Sequence, residues 1–202
     1  MDPPAALLAH LQDLTASIGQ DDQDLDDTVA TLTAALHSTA NTYRGFQLTL
    51  VENQWPVTLT AFSDRHNVSV GTSLRLPLVL VSPAVDPQSR VVFFAGTPGA
   101  FTDLAADLSY ALGGIPVERG RTGVDGQPNV IVLDSDLPLV SPVSGLTGLA
   151  ELSALYRAIG MLVDQGHDIE QAHQVLQRDA AAARVEAHIY ATRILRRRMR
   201  PS

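Results

Sequence analysis

Between Phe46 and Glu52 the chain alternates, with Phe46, Leu48 and Leu50 set against Gln47 and Thr49, the period of a strand with one buried face. Pro56–Phe62 alternates again after Asn53-Gln54, a pair suited to a turn, so the two runs predict a β-hairpin. LRLPLVLV (Leu74–Val81) predicts a third strand, where Pro77 favours an edge or a bulge because proline cannot donate to a ladder. RVVFFAG (Arg90–Gly96) predicts a fourth, and VIVLD (Val130–Asp134) a shorter one further on.

On either side of the strands the period is helical. Leu7, Leu8, Leu11, Leu14 and Ile18 form one stripe that runs up to Gly19. Val29, Leu32, Ala35 and Leu36 form another, ending near His37. Thr102 is placed to cap a helix whose apolar positions are Leu104, Ala105, Leu108 and Leu112. Three more stripes begin at Leu149. The first holds Leu152, Leu155, Ile159 and Leu162 and is stopped by Gly166. The second, capped by Asp168, holds Ile169, Ala172, Val175, Leu176 and Ala180. The third puts Ala187, Tyr190, Ala191, Ile194 and Leu195 on one side, with Arg193, Arg196, Arg197 and Arg200 largely on the other. Helices of about 12–16 residues are marginal alone in water, so these three must pack together.

This order predicts an α+β protein in three parts. Residues 1–113 form an antiparallel sheet with helices on one side. Residues 114–148, rich in Gly, Pro and Ser, form a linker or insert with one extra strand. Residues 149–202 form a three-helix bundle.

Composition narrows the function. The chain has 202 residues and is 45% hydrophobic, an ordinary globular balance. It has no cysteine, which excludes disulfides, thiol catalysis and zinc-thiolate sites. No apolar run approaches a membrane span, and MDPPAALLAH lacks a basic leader region, so a cytoplasmic location is expected. The net charge of −8 is uneven. Residues 1–150 hold 6 arginines and 16 acids, whereas residues 151–202 hold 8 arginines and 6 acids. Lysine is absent. Arginine forks suit phosphate, so the tail hints at a polyanion partner.

Other chemistry is disfavoured. The run Asp21–Asp27 has five aspartates but neither the ligand spacing nor the closing Glu of a calcium loop, and it suits a helix start. The six histidines show no one-turn pair of the kind that holds a metal on a helix. There is no Gly-x-Ser-x-Gly elbow, and Gly96-Thr97-Pro98-Gly99 lacks the lysine of a phosphate loop. Neither an enzyme nor a metal or cofactor is expected.

The tail resembles an ANTAR domain, the three-helix RNA-binding module of bacterial antitermination regulators. The resemblance rests on Ala158, Gly160, Leu162, Gly166, Ala172, Leu176, Ala180, Ala191, Ile194 and Leu195. Ile159, Val163 and His173 depart from the family's usual basic, Met and aromatic residues. Gly45–Ser63 and Val91–Leu108 resemble a GAF domain, a small-molecule sensor fold, and no cyclic-nucleotide motif accompanies them. Together these resemblances imply a homodimeric regulator that binds RNA hairpins in nascent transcripts and acts by recognition alone. The candidate RNA-binding residues are Tyr156, Arg157, Arg178, Arg193, Arg196, Arg197 and Arg200. Phe46, Trp55, Phe62, Phe93 and Phe94 are candidates to line a sensor pocket for a small molecule. The small residues Ala158, Gly160, Ala172 and Ala191 are expected to let helices approach closely. The alternative is a protein–protein interaction or dimerisation module that does not bind RNA.

Overall fold

Strand pairing in the computed structural model follows from the alternation. Strand β1 (Tyr43–Glu52) pairs antiparallel with β2 (Trp55–Phe62) and with β4 (Arg90–Ala95), and β4 pairs antiparallel with β3 (Thr72–Pro77). Residues 3–17, 22–40, 42–52, 55–62, 70–120, 129–134 and 145–198 are described. Opposed residues of an antiparallel pair share a face. The registers Phe46↔Phe93, Leu48↔Val91, Leu48↔Leu59, Leu74↔Phe93 and Leu76↔Val91 therefore put Leu48, Leu59, Leu74, Leu76, Val91 and two phenylalanines on one side.

That side receives the helices. Helix α1 (Pro3–Ser17) brings Leu7, Leu11 and Leu14, and α2 (Asp22–Thr39) brings Leu32 and Leu36. Helix α3 (Thr102–Ala111) brings Leu104, Ala105 and Leu108 into the same core. Each of these leucines contributes about 1.5–3 kcal/mol on burial. The aspartate run lies at the start of α2, as its charge suggested, although Asp21 and the side chains of residues 22–26 fall outside the described residues.

Three details depart from the pattern-based expectation. The third strand stops at Pro77, and Leu78–Leu80 curl into a 3-10 turn. Pro77 is tolerated because the next strand, β6 (Ile131–Leu133), reaches only Leu74 and Arg75 of β3, which leaves Pro77 beyond that ladder. Thr102 does not cap α3. It is the first helical residue, behind Phe101, and its Oγ1 accepts a hydrogen bond of 3.0 Å from Arg119 Nη2.

Residues 114–148 also do more than connect. They supply β5 (Val117–Arg119), parallel to β6, together with β6 itself and β7 (Gly145–Thr147). The sheet order is β5-β6-β3-β4-β1-β2-β7. Helices α4 (Leu149–Asp164), α5 (Ile169–Ala182) and α6 (Ala187–Arg198) follow. The chain divides into two compact units, Met1–Leu146 and Thr147–Ser202. Among the described residues no helix is long and apolar enough to cross a membrane.

Gly45 is fixed by contact. It sits at a bulge between Tyr43 and Gly45, with φ +155°, and a Cβ there would lie 2.2 Å from the Ala61 carbonyl oxygen. Gly45→Ala is expected to cost at least about 2 kcal/mol, because overpacking against backbone cannot relax by rotamer change. The urea midpoint read through the fluorescence of Trp55, the chain's one tryptophan, checks this. Gly113→Ala is the control. Its φ is +84° but it has open space, so about 1 kcal/mol is expected.

Candidate functional site

In the second unit the helix ends are built locally. At the end of α4, Gly166 takes φ +97°, and the N–H groups of Gly166 and His167 bond back to Val163 and Leu162 at 2.9 and 3.3 Å. Asp168 Oδ1 accepts from the Gln171 N–H at 2.7 Å while the Gln171 side chain returns the bond to Asp168, a complete capping box. The left-handed position after α5 is filled by Arg184, φ +52°, where glycine would be less strained.

The three helices pack on one another, and most of the buried positions are small: Ala158, Ala172, Ala180, Ala187 and Ala191, with Leu155, Ile159 and Leu176. The alanines are thus buried in the bundle, where the expected close approach would place them. That expectation does not hold for Gly160. That residue is exposed, and a Cβ built on it meets nothing within 4 Å. Ile169 also departs from its predicted apolar face. It is the first residue of α5, and it is 67% exposed.

The candidate contact residues fall on two outward faces. On α4, Tyr156 (44% exposed), Arg157, Gly160 and Val163 lie on the side opposite Leu155, Ala158 and Ile159. On α6, Ile189, Arg193 and Arg196 form an exposed stripe at three- and four-residue spacing. Arg178, on α5, is exposed but engages Asp179 Oδ1 through Nη2 at 2.9 Å, which offsets its charge locally. The Arg197 side chain and the whole of Arg200 lie outside the described residues.

In the first unit the five candidate pocket aromatics do not line one cavity. Phe46 and Phe93 point into the helix-covered core, and Phe62 and Phe94 stack on the opposite face with ring centroids 5.6 Å apart. Trp55 stands half-buried at the start of β2, opposite Glu52. The cause is the strand period: Phe93 and Phe94 are neighbours in sequence and so must face apart. That opposite face is buried too, and it is polar: Gln47, Thr49, Thr60, Ser73 and Arg75 accompany Val92 and Phe94 there. Sequence reading passed over Arg75, although its place inside LRLP, between two inward leucines, marked it as outward on an interior strand.

Tyr43 is a further buried polar group. Desolvation pushes its phenol well above the ordinary tyrosine range, offset slightly by the Thr33 side chain, and the buried hydroxyl has no hydrogen-bond partner. Its ring meets His37 edge-on at 5.0 Å.

Two outcomes follow. Gly160→Ala is expected to stabilise the helical unit by up to about 1 kcal/mol, because an exposed helix-interior glycine forfeits that much propensity. Thermal loss of far-ultraviolet ellipticity in the full chain measures it, and a destabilised variant would show that the glycine has a packing role. For Tyr43 the sign is set by the raised folded-state value. The unfolded chain ionises first, so stability present below about pH 10 is lost as pH rises past it. Tyr43→Phe is expected to flatten that alkaline loss in urea titrations without lowering stability at neutral pH.

No protein-family model matches this chain, and no curated protein and no solved structure matches it either.

Proposed function

We propose that the chain is a two-part regulator whose C-terminal helical unit binds RNA hairpins, with the sheet unit as its sensory partner. The observation that carries this reading is the outward pairing of aromatic and cation on α4. Tyr156 and Arg157 stand beside the bare Gly160, on a face the bundle core does not use. Tyrosine can stack on an unpaired base, and arginine can hold the adjoining phosphate. Arg193 and Arg196 on α6 add two more exposed forks. The resemblance of the tail to antitermination modules supplies the RNA class and the dimeric state. The proposed chemistry is recognition, with no bond made or broken.

A second reading is favoured by the apolar members of the same faces. Val163 and Ile189 are exposed there, and Ile169 is exposed at the start of α5, as a protein-docking module without RNA affinity would require. Salt separates the two. With about four phosphate contacts, doubling the salt weakens RNA binding about tenfold, whereas apolar docking is indifferent to it.

The test is binding of the full chain to a pool of folded transcripts at low and moderate salt, beside an Arg157→Ala/Arg193→Ala/Arg196→Ala variant. Selective, salt-sensitive capture of hairpins, lost in the variant, is the expected result. Absence of binding at low salt, or equal binding by the variant, would remove the RNA reading.

A further inference from the structure

At the bulge end of β1 the chain holds two polar groups with nothing to bond. Thr42 Oγ1 and Arg44 Nε are both shielded from solvent, and neither has a hydrogen-bond partner. The other described arginines of the first unit are engaged. Arg90 donates to the Gln88 carbonyl, Arg119 donates to Thr102 Oγ1, and Arg75 has a partner of its own, although its Nε, like that of Arg44, is buried without an acceptor. A buried guanidinium Nε without an acceptor stands out in a unit where acids outnumber arginines 16 to 6 over residues 1–150.

The local backbone explains why these two groups share one place. The Gly96 N–H donates to the Thr42 carbonyl at 2.8 Å, which fixes Thr42 beside Gly96. The β1 bulge inserts Arg44 as an extra residue, and its guanidinium lies flat on Gly96. A Cβ at that position would be 3.0 Å from Nε and 3.1 Å from Nη2. The absence of a side chain at Gly96 is what lets the guanidinium settle there. Arg44 as a whole keeps part of its surface exposed, so a small ligand has a route to it.

We infer that the side chains of Arg44 and Thr42, beside Gly96, bind a small oxyanion, a phosphate or carboxylate group. A guanidinium fork donates to two oxygens of such a group side by side, and the Thr42 hydroxyl supplies a further donor. A cation is excluded by the fixed charge of arginine. The unit's negative balance gives no long-range attraction, so affinity rests on these short bonds and favours a compact anion over an extended polyanion. The site lies in the sheet unit and stands independently of RNA binding by the helical unit.

The experiment titrates the full chain with sodium phosphate and, separately, sodium acetate, with sodium chloride holding ionic strength constant. The Arg44 Nε–H resonance and the thermal midpoint are followed. A saturable shift of that resonance with a rising midpoint is expected, with binding about tenfold weaker in Gly96→Ala and abolished in Arg44→Gln, as loss of a charge-assisted bond requires. Response to phosphate alone assigns a phosphate group, and response to both anions assigns a carboxylate-competent site. No saturable shift with either anion, or an undiminished midpoint response in Arg44→Gln, overturns the inference. Should Gly96→Ala fail to fold, Arg44→Gln and the wild-type resonance decide the matter.

Discussion

The register of β1 against β4 is the constraint on which the first unit depends. With Phe46 opposite Phe93 and Leu48 opposite Val91, one face of the central strands is apolar from end to end, and three helices cover it. A slip of β1 by one residue would present Gln47 and Thr49 to those helices instead, and a slip of β4 would present Val92 and Phe94. The bulge before Gly45 holds the register, because only a residue without a side chain fits under the Ala61 carbonyl. The same bulge places Arg44 over Gly96. One local irregularity thus fixes the core on one side and gathers unpaired polar atoms at the strand's end.

The second unit is held by different means. Its core is mostly alanine, so the helices approach closely but bury little area per residue, and the ends matter correspondingly more. A capping box at Asp168 and a left-handed turn at Gly166 satisfy backbone groups that a short helix would otherwise leave bare. Each such device contributes on the order of 1 kcal/mol, comparable to what one small buried side chain gives.

Much of this was legible in the sequence, for identifiable reasons. The hairpin and β4 announce themselves by alternation, and α4 to α6 by apolar spacing and their caps. Strands β5 and β7 were not legible, because three residues such as Val117–Arg119 carry no period of their own and are strands only through their neighbours. Thr102 had the chemistry of a cap but not the position, since the turn closed by the Thr102 N–H and the Gly99 carbonyl starts α3 one residue earlier. Composition nominated the five pocket aromatics. Alternation, already visible in Phe93-Phe94, separates them. On the candidate RNA face, the exposure of Arg157, Arg193 and Arg196 followed from helical phase, whereas the local engagement of Arg178 by Asp179 depends on rotamers that no pattern reveals.

Gly160 bears most directly on function. A glycine in the middle of α4 gives up about 1 kcal/mol of helix propensity relative to alanine. Inside a tight helix crossing that cost would be offset by closer packing, but among the described residues no atom of another helix lies within 4 Å of the position a Cβ would take. A bundle built on alanines has little stability to spare for a feature that serves neither its core nor its caps. The glycine lies one turn from Tyr156 and Arg157 and one turn from Val163, on a face that packs against nothing in its own core. The RNA reading proposed above places its contact surface at this side-chain-free spot between an aromatic, a cation and an aliphatic group. The physical case for recognition by the helical unit therefore rests on this face of α4 more than on the arginine count of the tail.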